Sequence, residues 1–274
     1  MSKVTFQTLS RGLAPLFATL LAGMPLFAAS NHPAINLYSI PQEIALGRQM
    51  SAEVEKQAHI VTDPIVAEYV NRIGQNLALR AGAEFPIRVK MIQSDEINAF
   101  TLPGGFVYVN SGVMKMADNE AELASVIAHE IGHAAARHAT RQASRGQLAK
   151  IAALPLALLG GWRGLAAEQG ATLAAPVASM HFSRAFETEA DQLGVGYLAR
   201  AGYDPNASID MFERIESMER KKPGAVSKLF LAHPPVGDRI VKTQAEIGKL
   251  KSSSEDYILN TSEFEEVRTR VAGM

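Results

Sequence analysis

His129-Glu130-Ile131-Gly132-His133 sets two imidazoles four residues apart, with a carboxylate beside the first. On a helix, positions i and i+4 share a face one turn apart, so both rings can reach a single cation at about 2 Å, the usual zinc–nitrogen distance. Glu130 flanks the first ring, where its carboxylate reaches a water on that cation without ligating the metal. Chance occurrence of His-Glu-x-x-His in a chain this long is on the order of 1 in 100. Ala121, Leu123, Ala124, Val126, Ile127 and Ala128 make the surrounding helix mostly apolar. Burying Glu130 there without a task would be costly.

A catalytic zinc needs a third protein ligand. A third His in the pattern His-Glu-x-x-His-x-x-Gly-x-x-His fails, because positions 136 and 139 are both Ala and His138 is one residue out of register. Glu187-Thr188-Glu189-Ala190-Asp191 offers a carboxylate instead. Glu187 and Asp191 are i and i+4 and share a face, while Glu189 points roughly opposite. Glu187 is therefore the expected third ligand, and Asp191 the acceptor for the second ring N–H of a zinc His. Zinc would acidify its water and polarise a scissile carbonyl. Glu130 would take the water proton and pass it to the leaving amine.

The elements that must position these groups are mostly helical. Ile44, Leu46, Met50 and Val54 suit an amphipathic helix over 41–58. Asp63-Pro64 reads as an N-cap and first-turn proline opening a helix to about Ala81. Residues 85–92 alternate like a strand, Leu102-Pro103-Gly104-Gly105 is a turn signal, and Phe106–Val109 is a second strand. The motif helix is expected from Asn119 to about Gln142, and others from Ser183 to Arg200, Asp204 to Lys222 and Asp238 to Leu250, with a short one after Thr261. The fold class is mainly α with one small β-sheet (α+β). Gly105, Phe106, Val107 and Tyr108 are expected to bind substrate, since an edge strand can take an extended peptide by strand addition.

The sequence has 274 residues, with 27 Lys plus Arg against 28 Asp plus Glu, a net charge of -1. That balance speaks against nucleic acid as a partner. With no cysteine, disulfide scaffolds, thiolate metal sites and Cys nucleophiles are excluded. Lys3 and Arg11 precede an uncharged apolar run from Gly12 to Ala29, and Ala28-Ala29-Ser30 supplies small residues for signal peptidase. Residues 1–30 are thus read as a cleaved export signal, with an uncleaved anchor as the rival. Residues 31–274 are read as a single zinc-protease domain. The apolar stretch 149–180 is expected to pack on the domain or cover the cleft. Contact with a membrane surface stays open, but spanning after signal cleavage is not expected.

The motif, its continuation Ala134-Ala135-Ala136-Arg137-His138, and Ser183-Arg184-Ala185-Phe186-Glu187-Thr188-Glu189-Ala190-Asp191 resemble the zinc endopeptidases that include the CAAX prenyl protease and HtpX. Asn98-Ala99-Phe100, Leu102-Pro103-Gly104-Gly105, Gly112, and His233-Pro234 with Arg239 also match, so the resemblance runs from about Pro41 to the C-terminus. The chain is most similar to the exported BepA-like periplasmic branch, without the tetratricopeptide-repeat domain into which that branch continues. The resemblance implies a gluzincin fold, one zinc per chain on His129, His133 and Glu187, and a supporting surface or packing role for Arg137 and His138. It also implies a periplasmic enzyme acting on unfolded or misassembled envelope proteins, with outer-membrane assembly machinery as a partner. A chaperone-like assembly factor with latent proteolysis is the alternative. The matching His of BepA-like proteins lies close to the zinc, so His233 is expected near the metal. There it is a fourth ligand that holds the enzyme off, a donor to the oxyanion, or each in turn as a loop switches between two states; a surface His at a helix start is the rival. A His before Pro favours extended backbone, which lets a loop aim it.

Overall fold

In the computed structural model the described residues are 35–159, 182–221, 223, 224, 233, 237–250 and 257–274. The export signal at 1–30 and residues 160–180 of the apolar stretch 149–180 lie outside them. Two helices come first, α1 (Ile40–Gln57) and α2 (Pro64–Ala78). Ser39 and Gln42 close α1 with a reciprocal capping box, and Asp63 caps α2 ahead of Pro64. The small sheet comprises β1 (Arg88–Ile92), β2 (Ala99–Leu102) and β3 (Phe106–Asn110) in the order β1-β3-β2. β1 runs parallel to β3, with Val89 opposite Val107, and β2 runs antiparallel to β3, with Thr101 also opposite Val107.

The short α3 (Ser111–Met116) leads to α4 (Glu120–Ala135) and α5 (His138–Leu159). Then come α6 (Arg184–Ala201), α7 (Ala207–Lys221), α8 (Gly237–Ile247) and α9 (Ser262–Ala272). Helix α4 is the centre of the molecule. It packs against α2, α6, α7, β2 and β3, and Leu123, Ala124, Ile127, Ala128 and Ile131 on it have no exposed surface. A helix apolar on nearly every face is stable only when neighbours cover it all round. The main core also takes in Val66, Tyr69 and Ile73 of α2 and Val89 and Val107 of the sheet.

Three local expectations change. The helix expected from Asn119 to Gln142 is two helices, because Arg137 takes a left-handed backbone (φ 57°) between them. Its guanidinium is held by Glu43 Oε2 and Tyr38 O, each at 2.6 Å, which sustains a conformation that is costly for a residue with a Cβ. β2 is an additional strand, four residues long and hidden in the sequence by the Pro103-Gly104-Gly105 turn after it. Gly104 and Gly105 both have positive φ (73° and 85°), which only glycine adopts freely. Finally, β3 is the central strand, paired on both sides. Phe106, Val107 and Tyr108, with Gly105 in the turn before them, therefore offer no free edge. Val107 is fully buried, and the Tyr108 hydroxyl is taken up by Ser51 (2.8 Å) and Glu55 (2.7 Å). Among the described residues, no helix is long and apolar enough to cross a membrane.

Candidate metal centre

His129 and His133 sit one turn apart on α4. Glu187 is in the first turn of α6, whose N-terminus Ser183 caps by accepting from Phe186 N. His233 comes from the chain between α7 and α8. One ligand atom from each of the four lies within 4.8 Å of all the others. The His129 and His133 Nε2 atoms are 3.0 Å apart, and His233 Nδ1 is 3.3 Å from His129 Nε2 and 3.0 Å from Glu187 Oε1. Glu187 oxygens lie 3.5 Å from each of the two α4 rings.

These separations test the fit to zinc. Four ligands at about 2.0–2.2 Å in a tetrahedron lie roughly 3.3–3.5 Å from one another, close to the spacings here. The tautomers agree. His129 Nδ1 faces Asp191 Oδ1 at 2.9 Å, which places its proton there and turns the Nε2 lone pair inward. Ring nitrogens crowded this closely beside a buried carboxylate call for a cation among them, and the donor set of imidazoles and one carboxylate suits zinc.

The electrostatics follow from the same crowding. Burial works against protonation of His233, but Glu187 and Glu130 outweigh it and push the ring up to about 10. Burial likewise opposes ionisation of Glu187, yet the charge on His233 and the hydrogen bond to His129 hold its carboxyl well below the usual carboxylate range. Burial and the neighbouring His129 push His133 well down.

Glu130 is almost completely buried. The Thr101 hydroxyl lies 2.9 Å from its Oε2 and 2.8 Å from its main-chain oxygen, and Oε1 is 3.3 Å from His233 Nε2. Asp191, also buried, is clamped by Arg239, whose Nε and Nη2 donate to its two oxygens at 2.8 and 2.7 Å. A third Arg239 nitrogen lies 3.4 Å from Glu187 Oε2. Glu189 does point away from the four, toward Arg141 and His138.

Every predicted ligand and the predicted base are thus in one place, together with His233. The four residues 105–108 are not part of it. Thr101, Arg239 and His138 take positions that motif spacing did not reveal. Thr101 sits on a strand with no sequence signal, and Arg239 meets Asp191 from 48 residues away. His138, expected at the surface or in general packing, is fully buried against His133. An apolar pocket opens beside the centre. Val113, Met116, Val126, Met211 and Phe212 line it, together with His129, Glu130, His233 and other polar side chains of the centre.

Comparison with known proteins agrees with this geometry. The chain is 30% identical over 259 residues to the beta-barrel assembly-enhancing protease of Escherichia coli (strain K12), covering 90% of this chain and 52% of that protein. It is 33% identical over 214 residues to a putative beta-barrel assembly-enhancing protease of Vibrio cholerae, covering 75% and 44%. It is 30% identical over 171 residues to the mitochondrial metalloendopeptidase OMA1 of Saccharomyces cerevisiae, covering 62% and 48%. The chain spans about half the length of the curated relatives it matches. The model of Peptidase family M48, a family of metal-dependent proteases, matches residues 64–247, which include His129, Glu130, His133, Glu187, Asp191 and His233, and the chain belongs to that family.

Proposed function

We propose that this chain is a zinc-dependent endopeptidase of protein quality control, acting on unfolded or misassembled proteins of the cell envelope. The observation that carries the chemistry is the convergence of His129, His133 and Glu187 on one point with Glu130 beside it. The signal-like residues 1–30 support the periplasmic setting, and the name beta-barrel assembly-enhancing protease of the first relatives supports the substrate class. The first relatives' names speak of beta-barrel assembly, and on that basis the partner assigned is the outer-membrane assembly machinery.

One zinc per chain on His129, His133 and Glu187 would polarise the scissile carbonyl and acidify water. Glu130 takes the water proton on a carboxylate oxygen and delivers it to the leaving amine. Thr101 steers that carboxylate through its hydroxyl. Asp191 fixes the proton of His129 on Nδ1, and Arg239 holds Asp191 and Glu187 in register. Among the described residues β2 pairs with β3 alone of the strands, which leaves it an edge for an extended peptide to add to. Asn98, just before it, keeps a buried Oδ1 without a partner among the described residues, an acceptor for a peptide N–H. The apolar pocket takes an apolar side chain flanking the scissile bond.

His233 Nδ1 stands at the fourth corner of the cluster. That position favours the fourth-ligand reading over the oxyanion-donor reading. A closed four-ligand zinc is inert, whereas a catalytic one keeps a position open. Proteolysis is then held off until His233 withdraws, a two-state switch. The test is casein cleavage by the full chain, with Glu130→Gln as control and zinc measured in both proteins. Zinc-dependent cleavage that disappears in Glu130→Gln supports the reading. A wild-type protein that binds no zinc, or cleavage that survives the substitution, sinks it.

A further inference from the structure

The two α4 imidazoles are backed differently. His129 meets a carboxylate directly, Asp191 Oδ1 at 2.9 Å. His133 meets another imidazole, with its Nδ1 2.9 Å from His138 Nδ1. His138 Nε2 lies 3.2 Å from Glu189 Oε2, and Arg141 Nη1 is 3.1 Å from both Glu189 oxygens. His138 has no exposed surface. Its ring stacks on Phe186 (centroids 4.3 Å apart, 17° between planes), and the His133 ring stacks on Phe182 (4.2 Å, 26°).

We propose that His138 is a positioning residue for the metal centre, which holds the tautomer and orientation of His133 through a relay from His133 to His138, Glu189 and Arg141. The inference rests on the zinc reading of the site. A hydrogen bond between two ring nitrogens needs one donor and one acceptor. Metal ligation through His133 Nε2 leaves the proton on His133 Nδ1, so that atom donates. His138 Nδ1 must then accept, which puts the His138 proton on Nε2, where Glu189 accepts it. Every proton in the relay follows from the ligand, and the stacked phenyl rings oppose rotation of either imidazole. Without an acceptor at position 138, the His133 N–H would be buried unpaired, which disfavours the tautomer that ligates through Nε2.

Two substitutions of nearly equal shape separate this role from packing. Asn places an amide oxygen where His138 Nδ1 stands, whereas Leu places a methyl there. Zinc affinity of the full chain, measured by competition with a chromophoric chelator, should fall about 10–100-fold in His138→Leu, as for loss of other outer partners of metal ligands. His138→Asn should recover most of that loss. A packing role predicts the reverse order, because Leu suits a site against Phe186 better than an amide does. Glu189→Gln, on a side chain 41% exposed, tests the relay without threatening the core and should weaken zinc severalfold, below the loss in His138→Leu. Histidine 15N NMR of the zinc protein should show His138 protonated on Nε2 and bare on Nδ1. Wild-type zinc affinity in His138→Leu, or a proton on His138 Nδ1, overturns the proposal while leaving the peptidase reading intact. Should both position-138 variants fail to fold, Glu189→Gln and the NMR tautomer decide. A wild-type chain that binds no zinc overturns both readings together.

Discussion

Gly132 lies between the two histidines of α4, where that helix crosses α6. A Cβ at this position would stand 2.8 Å from the main-chain oxygen of Ala190 and 3.2 Å from its Cα. Carbon seats against a carbonyl oxygen at about 3.3–3.6 Å, and neither Ala190 atom belongs to a side chain that can swing away. Gly132→Ala must therefore part α4 and α6 by about half an ångström. Glu187 lies one turn before Ala190 and Asp191 directly after it, so both carboxylates move with α6 while the histidines stay on α4. Metal–ligand distances tolerate only about ±0.2 Å. Overpacking of this kind costs about 1–3 kcal/mol, and at 2–4 °C per kcal/mol for a chain of this size the melting temperature should fall by about 2–12 °C. A similar cost charged to the zinc-bound state is roughly ten- to hundredfold in affinity. Helix propensity alone predicts the opposite sign, since Ala favours helix over Gly by about 1 kcal/mol. Gly146→Ala is the control. Its Cβ would meet nothing within 4 Å, and it should stabilise by about 0.5–1 kcal/mol. Thermal melts and chelator competition on both variants read the two quantities. Wild-type zinc affinity and an undiminished melting temperature in Gly132→Ala would show that close helix approach does not set the ligand geometry.

Four further outcomes are expected. Glu187→Gln should lose most of its zinc, whereas Glu189→Gln keeps a filled site at saturating metal; the reverse result, measured by metal analysis, would reassign the ligand. Asp191→Asn should weaken zinc about 10–100-fold in chelator competition, and an unchanged affinity would mean that the 2.9 Å contact to His129 Nδ1 does not matter. His233→Ala should cleave casein faster than wild type with zinc retained, as expected when a blocking ligand is removed. A rate about 10–1000-fold lower would instead identify His233 as an oxyanion donor. Zinc at about a thousand times its Kd should stabilise the folded chain by about 4 kcal/mol, a rise of roughly 8–16 °C in melting temperature, and the absence of a rise would argue against a folded-state zinc site.

The local parts of this protein were legible in its residues. His129, Glu130 and His133 could be placed together because helix geometry makes i and i+4 neighbours whatever surrounds them. The same periodicity put Glu187 and Asp191 on one face and Glu189 on another, and caps such as Asp63, Ser183 and Thr261 marked helix starts within a residue or two. The resemblance rather than any spacing pointed to His233, and the structure brings its Nδ1 to 3.3 Å from His129. Strand order was not legible. Phe106–Asn110 looks like an edge strand in isolation, and only the pairing of β1 and β2 on either side makes it central. The break at Arg137 was also hidden, because it depends on Glu43 and Tyr38, about a hundred residues earlier in the chain. So were Arg239 behind Asp191, Thr101 against Glu130 and His138 against His133. Periodicity reports which way a side chain points relative to its own element. Which partner it meets there depends on how separate elements pack, and that is decided by side-chain volumes and backbone approaches such as Gly132 against Ala190.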